Sequence, residues 1–475
     1  MAYKKIVWIS LDALRADCIG NARPKLYERE HENTVPLERT RLDELCEESF
    51  VFSNTISAAP YTSASHASYF TGLWPAHHGV YDQFNSRLRA KTIFEYAREH
   101  GYATLFKTDS PFLLGKYLNM VRGVDEYIAE ENGGLVERIA RDRKLFAFIH
   151  FAQFHYPYGF HNLDFGGKEY VDTIEKLEKK YSIHAENANF SDLATETFRS
   201  EEDLNLLHRY KKVITYLYSK KMDGELFNLY LEGVNRFHAR FLNGFLDELR
   251  TALDPDEYLL VVSSDHGEAW SDETYGHHNS IEEGALRVLL AFNAKDIVPG
   301  VYANRVRTID VFPTLMENAF GEKAECDGKS LGPCVYGRKT EPDRFAFSAV
   351  WITDLGELVR KAESIAKTDT IRVRNNVSSK YSAAAYEGGY KCEVVYKRFA
   401  NRSQQLVDDY SEKLYRIDSP VDFTAVDDPP RLKRMVRLIE AHNNPQAGKK
   451  MGKTETLERY FNLLGYPVGR PPGAR

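Results

Sequence analysis

The sequence predicts an α/β fold: a large mixed, mostly parallel sheet sandwiched by helices, with a smaller C-terminal antiparallel α+β subdomain. Compact apolar runs of strand length alternate with helical segments over much of the 475 residues, which is the pattern of strand–helix–strand units. Two of the runs end in acidic residues, and ligands in open α/β sheets gather at the carboxyl ends of the strands. We therefore expect a functional site at one edge of the sheet.

The individual elements follow from local composition. The run KKIVWISLD (4–12) has the apolar character of a buried parallel strand and ends at Asp12. Helices, strands and turns then alternate in the expected order. The segments are a helix at 40–49, a strand at 50–60, a helix, glycine turn and strand at 92–109, a strand and loop at 144–160, and a strand at 257–270 ending in SSDHGEAW.

Composition shifts divide the chain into three parts. Residues 1–340 form the predicted catalytic domain, with a highly charged helical insertion at about 163–230. Residues 341–465 contain short strands and turns, which indicates the C-terminal subdomain. Residues 466–475 (YPVGRPPGAR) are expected to form a flexible tail.

Bulk composition excludes several classes of protein. A formal net charge of −6 shows no basic surplus, so we expect no nucleic-acid partner. The five cysteines lack CxxC spacing, which argues against a disulfide framework or a cysteine zinc site. The N-terminal apolar run is too short for a signal peptide, and the sequence shows no membrane span. We expect a cytoplasmic protein with no membrane partner; a homo-oligomer is compatible with the sequence.

Two stretches carry candidate chemistry. Asp265 and His266 are adjacent at a strand end, and with Asp12 at another strand end they form a set suited to a divalent metal ion. The stretch SAAPYTSASHASYFTGLWPAHHGV (57–80) is rich in hydroxyls and histidines, so it reads either as turn chemistry at a helix start or as a nucleophile. Thr62 becomes a nucleophile only if a base or metal activates its hydroxyl.

The order of these motifs resembles the sulfatase family, part of the alkaline phosphatase superfamily of metal-dependent phosphate and sulfate ester hydrolases. The resemblance extends from about residue 4 to about residue 335, and KLYRIDSPVDFTAVDDP (413–429) resembles the family's smaller subdomain. The motifs that carry it are ISLDALRAD (9–17), APYTSASHASYFTGLWPAHHGV (59–80), HYPY (155–158), SSDHGEAW…GHHNSIEEGALRV (263–288) and TIDVFPTLME (308–317).

One departure from the family pattern bears on which atom of the ester is attacked, phosphorus or sulfur. True sulfatases carry Cys or Ser, then x-Pro-x-Arg, and convert that Cys or Ser to formylglycine. This chain has Thr62 at that position, Ala64 in place of Pro and His66 in place of Arg. Threonine cannot become formylglycine, so the resemblance points to relatives that use an unmodified threonine and attack phosphorus.

The resemblance also implies roles for individual residues. It makes Thr62 the nucleophile and places His277 or His155 where a family side chain protonates the leaving group or binds the substrate oxyanion. We expect Lys107, His66 and His278 to contact the substrate. The implied metal ligands are Asp12, Thr62, Asp265 and His266.

The expected cofactor is one divalent metal ion per site. Imidazole in the ligand set favours zinc or manganese over calcium or magnesium. Relatives with a second metal have an acid where this chain has Gln153, which argues for a single ion.

The sequence thus predicts a metal-dependent hydrolase that cleaves a small-molecule phosphate mono- or diester through Thr62. Three alternatives stay open: a sulfate or sulfamate ester hydrolase without formylglycine, a phosphotransferase, and a metal-binding pseudoenzyme.

Overall fold

The computed structural model describes most of the chain. The described residues are 3–19, 25–80, 87–111, 113–116, 118–160, 167–183, 201–271, 274, 276–277, 280–337, 339–351, 381–400 and 406–443. The predicted tail at 466–475 lies outside them. None of the helices among these residues combines the length and apolar composition that a bilayer crossing requires.

Sixteen strands are seen in the described part of the chain. They are β1 Lys5–Leu11, β2 Phe50–Phe52, β3 Thr55–Ile56, β4 Ala103–Thr108, β5 Glu126–Ala129, β6 Leu145–Phe151, β7 Tyr258–Ser264, β8 Arg287–Val288, β9 Leu290–Asn293, β10 Gly300–Tyr302, β11 Val306–Arg307, β12 Ala346–Trp351, β13 Tyr381–Glu387, β14 Tyr390–Ala400, β15 Leu406–Ser419 and β16 Asp422–Ala425.

The α-helices of the same residues lie mostly between these strands. They are α1 Tyr27–Glu30, α2 Arg41–Glu47, α3 Thr62–Thr71, α4 Pro75–His78, α5 Ile93–Glu99, α6 Leu135–Arg141, α7 Lys168–Tyr181, α8 Glu201–Ser219, α9 Asp223–Phe237, α10 Asn243–Ala252, α11 Glu283–Leu286, α12 Val311–Leu315, α13 Gly332–Val335 and α14 Pro429–Asn443. A π-helical turn, His238–Leu242, joins α9 to α10.

The main sheet has eight strands in the order β10-β2-β9-β7-β1-β6-β4-β5. Strand β9 runs antiparallel to β2 and β7, and the other neighbours are parallel. Leu11 at the end of β1 pairs with Phe151 of β6 and Ser264 of β7. The residues that follow these three central strands therefore meet at one edge of the sheet, as the sequence predicted.

Both faces of the central strand are buried, which explains its unbroken apolar run. Val7, Ile9 and Leu11 point into one core cluster, and Ile6 and Trp8 into a second cluster on the opposite face. Trp8 is fully buried, and its indole N–H donates to Ser263 Oγ of β7 at 2.9 Å. A parallel strand covered on both sides can use apolar side chains at every position.

Two capping boxes explain where helices on the two sides of the sheet begin. Thr40 caps α2 and Thr92 caps α5, each accepting from the backbone N–H three residues on, while Asp43 and Glu95 accept from the cap residue's own N–H. This reciprocal pairing satisfies backbone donors that a helix start leaves free. Helices α7 to α9 occupy the range predicted as a charged helical insertion.

The C-terminal strands β12 to β16 form a separate antiparallel five-stranded sheet, with α14 packed against it. The predicted fold class, a mostly parallel sheet with helices and a small antiparallel C-terminal sheet, is confirmed. Strands β11, β3 and β8 form a small third sheet. A buried ionic cluster joins α11 and β8 to the C-terminal sheet: Glu283 of α11 accepts from Tyr386 Oη at 2.5 Å and pairs with Lys391 at 3.1 Å and Arg287 at 2.8 Å.

We predict that Gly233→Ala destabilises the protein. A Cβ at Gly233, in α9, would lie 2.3 Å from Tyr158 Cβ and 2.6 Å from the Tyr158 carbonyl carbon. Overpacking of this kind costs about 1–3 kcal/mol. Gly244→Ala in α10 is the matched control because its added methyl meets nothing within 4 Å, so helix propensity should stabilise it by up to about 1 kcal/mol. Urea denaturation measures both; equal midpoints would contradict the packing at Tyr158.

We also predict an acid-dependent contribution from Glu283. Burial favours its neutral form, but Lys391 and Arg287 outweigh burial and lower the pKa of Glu283 below its ordinary value of 4.5. Its contribution is therefore present above that value and is lost as the pH falls through the lowered pKa. Between about pH 6 and 3, the free energy of unfolding should fall more steeply for wild type than for Glu283→Gln. Parallel pH profiles would refute this.

Candidate active site

The site is centred on two buried carboxylates at adjacent strand ends. Asp12 follows β1 and Asp265 follows β7, with exposures of 1% and 0%. Asp265 Oδ1 accepts from the backbone N–H groups of Ala13 at 3.2 Å and His266 at 2.9 Å. The loop after β1 and the loop after β7 are thus joined through one carboxylate, and both side chains are directed by backbone that the sheet holds in place.

Helix α3 brings Thr62 to these carboxylates. Thr62 is the first residue of the helix, and all ten helical residues are buried. Its Oγ1 lies 3.4 Å from Asp12 Oδ2 and 3.4 Å from His266 Nε2. A helix start also carries partial positive charge and free backbone N–H groups, which favours anions. The hydroxyl is therefore placed where an anionic ester would be stabilised.

The spacing of these atoms suits a divalent cation. His266 Nε2 lies 3.3 Å from Asp12 Oδ1 and 3.5 Å from Asp265 Oδ2, and the ligand atoms of the three residues lie within 4.8 Å of one another. Among the described residues, Asp265 Oδ2 is fully buried and accepts no hydrogen bond. A buried carboxylate oxygen left in this state is costly unless an ion completes its coordination. The predicted ligands Asp12, Thr62, Asp265 and His266 therefore fit such an ion.

The electrostatics of His266 agree with this concentration of negative charge. Burial disfavours its charged ring, but Asp265 and Asp12 outweigh burial and raise the pKa of His266 above its ordinary value.

A second group with metal-ligand spacing consists of His66, His150 and Asp265. Both nitrogens of His66 already have partners, because Nδ1 lies 2.8 Å from the Thr62 carbonyl oxygen and Nε2 lies 2.8 Å from Ser10 Oγ. The carbonyl can only accept, so Nδ1 carries the proton and Nε2 accepts from the Ser10 hydroxyl. Burial lowers the pKa of His66 to about 3, which keeps the ring neutral. The group containing Asp12 is therefore the better cation site.

Sequence reasoning missed His150. It lies in β6, pairs in register with Ser10 of β1, and its Nε2 is 3.2 Å from Asp12 Oδ2. Its Nδ1 lies 3.2 Å from Thr108 Oγ1 of the next strand. The available signal was a polar residue within the apolar run LFAFIHF (145–151). Its partner Asp12 follows a strand more than a hundred residues earlier in the chain. The periodicity of the apolar run therefore could not indicate a functional role for His150.

The two histidines expected to contact the ester lie beside the metal-ligand group. The His277 ring stacks on His266 with centroids 4.2 Å apart, and the His155 ring lies 4.8 Å from His277. His277 is almost fully buried, whereas His155 is partly exposed. The predicted alternative His278 lies outside the described residues.

Glu268 and Tyr158 are further residues that the sequence did not single out. Glu268 Oε1 lies 2.6 Å from His277 Nδ1, and Tyr158 Oη donates to Glu268 Oε2 at 2.9 Å. Burial raises the pKa of Glu268 to about 8, while His266 and the Tyr158 hydrogen bond act in the opposite direction. The motif SSDHGE contained Glu268, but only the fold brings His277 and Tyr158 to it.

Lys107 is fully buried in an ion pair one strand away. Its Nζ donates to Asp109 Oδ1 at 2.6 Å and to the His150 carbonyl at 3.0 Å. Burial lowers the pKa of Lys107, and Asp109 opposes that effect. Gln153 Nε2 donates to the other oxygen of Asp109 at 2.9 Å. The structure therefore places Lys107 and Gln153 together around Asp109, where both support the backbone beside the site.

Arg15 anchors the loop that carries Asp12. The side chain is 1% exposed and pairs with Asp17 at 2.8 Å and Glu30 at 2.9 Å. Its Nη1 also donates to the Glu268 backbone oxygen at 3.0 Å. Arg15 thus connects the loops after β1 and β7.

Comparison with known proteins finds similarity in part of the sequence and in the fold. Over 109 residues the chain is 31% identical to choline-sulfatase of Rhizobium meliloti (strain 1021), a match that spans 22% of this chain and 21% of the relative. The fold is similar to that of a phosphonate monoester hydrolase of Agrobacterium radiobacter, with TM-score 0.54, 14% identity and coverage of 97% and 95% of the two chains. It is also similar to a protein solved with its substrate D-glucosamine-2-N,6-O-disulfate, with TM-score 0.57, 13% identity and coverage of 94% and 100%.

The family itself is shown by a profile match over more than half of the chain. The profile described as Sulfatase matches residues 4–321, which include both strand-end carboxylates and the helix that starts at Thr62. The chain belongs to the Sulfatase family of hydrolases.

Proposed function

We propose that this protein is a metal-dependent hydrolase of phosphate mono- or diesters in which Thr62 is the nucleophile. The observation that carries the proposal is the position of Thr62 Oγ1, 3.4 Å from both Asp12 Oδ2 and His266 Nε2 at the start of a buried helix. The structural similarity to a phosphonate monoester hydrolase supports an electrophilic phosphorus.

A divalent cation bound by Asp12, Asp265 and His266 would lower the pKa of the Thr62 hydroxyl and polarise an ester oxygen. Zinc or manganese suits this ligand set better than calcium or magnesium, since one ligand is an imidazole.

The chain's own residues account for the bonds that form and break. Thr62 loses its proton to solvent and attacks phosphorus, the bond from phosphorus to the alcohol oxygen breaks, and the alcohol takes a proton from His277. Water then attacks the threonyl phosphate and returns its proton to His277, the bond from phosphorus to Thr62 Oγ1 breaks, and Oγ1 takes a proton back from solvent. The product is phosphate from a monoester substrate and a phosphate monoester from a diester substrate. His155, beside His277, would contact the ester oxygens.

A sulfate ester is the second candidate substrate. Two observations favour it: the partial similarity to choline-sulfatase and the similarity in fold to a protein solved with a sugar disulfate. Thr62 would then attack sulfur without formylglycine.

We predict that Thr62→Ala lowers turnover at least about 1000-fold, because the nucleophile is lost. Thr62→Ser keeps a hydroxyl and should retain activity within about tenfold. Ser63→Ala is the matched control, since the hydroxyl of the neighbouring Ser63 donates to the Leu113 carbonyl at 3.1 Å.

The measurement is turnover of nitrophenyl phosphate, bis-nitrophenyl phosphate and nitrophenyl sulfate by metal-stripped protein, with zinc, manganese or calcium added singly. Cleavage of the sulfate alone would favour the second candidate. Unchanged turnover by Thr62→Ala would refute the nucleophile assignment.

We further predict that His266, rather than His66, binds the cation. Losing a ligand should weaken binding of zinc or manganese at least about 100-fold in His266→Gln. In His66→Gln the affinity should stay within about tenfold, because both nitrogens of His66 are bonded inside the protein. Isothermal titration of the metal-stripped proteins measures both affinities. A larger loss in His66→Gln would move the site to the second group.

A further inference from the structure

His277 is held by the buried carboxyl group of Glu268. Its Nδ1 lies 2.6 Å from Glu268 Oε1, and both side chains are at most 2% exposed. The His277 ring also stacks on the His266 ring at 4.2 Å, with 25° between the ring planes. The hydrogen bond and the stacking together restrict both the rotation of the ring and the identity of the nitrogen that can face a substrate.

Glu268 is itself held from two directions. Tyr158 Oη donates to its second oxygen at 2.9 Å, and Arg15 Nη1 donates to its backbone oxygen at 3.0 Å. Tyr158 is 1% exposed and packs edge-on against Tyr230 and Trp270. The two carboxyl oxygens of Glu268 therefore have separate, fixed partners, one on each side.

A histidine has two ring nitrogens, and the hydrogen bond made by one decides which nitrogen is left for chemistry. Because Nδ1 of His277 is bonded to Glu268, Nε2 is the ring nitrogen that can exchange a proton with an ester. Catalytic imidazoles in other hydrolases are oriented in the same way: a third group, hydrogen-bonded to one ring nitrogen, holds the ring in the required tautomer.

We propose that Glu268 is a positioning residue that, supported by Tyr158, holds His277 so that Nε2–H protonates the leaving alcohol. This inference rests on the proposed function. In the step, the Nε2–H bond breaks, its proton passes to the oxygen that leaves phosphorus or sulfur, and Nδ1 stays bonded to Glu268 throughout.

The first test uses leaving groups of different basicity. Nitrophenolate is the weaker base and leaves without taking a proton. Phenolate is the stronger base, so its departure depends more on protonation by a general acid. We expect Glu268→Gln to slow hydrolysis of the phenyl ester at least about 100-fold, the lower range for general acid catalysis, and to change hydrolysis of the nitrophenyl ester less than about threefold. The two esters are phosphates if the wild-type protein hydrolyses phosphate esters, and sulfates if it hydrolyses sulfate esters. Equal losses on both esters would overturn the proposal.

The matched control is Glu283→Gln. Glu283 is also a buried glutamate that accepts from a tyrosine hydroxyl, but its partners are Tyr386 and Lys391 of the C-terminal sheet. The Glu283→Gln variant should have lower thermal stability, and any change in its rate of hydrolysis should be equal for the phenyl and nitrophenyl esters. Because Glu268 acts through His277, the double variant Glu268→Gln/His277→Gln should be no slower on the phenyl ester than His277→Gln alone. Losses that multiply would overturn the proposal.

A second measurement is independent of turnover. In protein labelled with nitrogen-15 histidine, the ring N–H of His277 should give a downfield proton signal, assigned by its loss in His277→Gln. That signal should move upfield in Glu268→Gln, because a glutamine amide oxygen is a weaker acceptor than a glutamate oxygen, and should stay in place in Glu283→Gln. Its absence from the wild-type protein would overturn the Glu268 assignment. Failure to hydrolyse any ester would reject the proposed function, while this signal would still decide for or against Glu268.

Discussion

The structure depends on placing two carboxylates side by side inside the protein. Asp12 and Asp265 end the neighbouring strands β1 and β7 and are almost completely buried. Two such charges are unfavourable in an interior unless histidines, backbone N–H groups or a cation balance them. His266 and the N–H groups of Ala13 and His266 supply part of that balance. The orphaned Oδ2 of Asp265 is where a cation would supply the rest.

This constraint explains why the surrounding backbone is so strongly anchored. Arg15 connects the loops after β1 and β7, and His66 connects helix α3 to β1 through Ser10. Ser57 and Ser65 both donate to the Asp265 carbonyl, at 2.6 and 2.8 Å. The hydroxyl-rich stretch that starts helix α3 therefore contributes mostly to structure. Thr62 is the hydroxyl in it that reaches the metal-ligand group.

Further buried polar residues surround the group formed by Asp12, Thr62, Asp265 and His266. Glu268, in the loop after β7, bonds to His277 and accepts from Tyr158 in the loop after β6, and Lys107 and Gln153 meet at Asp109. The Tyr158–Glu268 and Gln153–Asp109 contacts each join the ends of two different strands. In a parallel sheet, residues distant in sequence share one edge, so a site of this kind is built from loops and held by strands.

The sequence by itself determined the fold class and the strands that Asp12 and Asp265 follow, because buried strands and strand-end acids leave local patterns of apolar and polar residues. The order of the motifs, through its resemblance to the sulfatase family, indicated the family and pointed to Thr62 and His277. Only the tertiary structure decided that His66 bonds to Ser10, that His150 approaches Asp12, and that Glu268 accepts from Tyr158. These are contacts between side chains on separate helices, strands and loops, and the periodicity of one segment does not encode its distance from another segment.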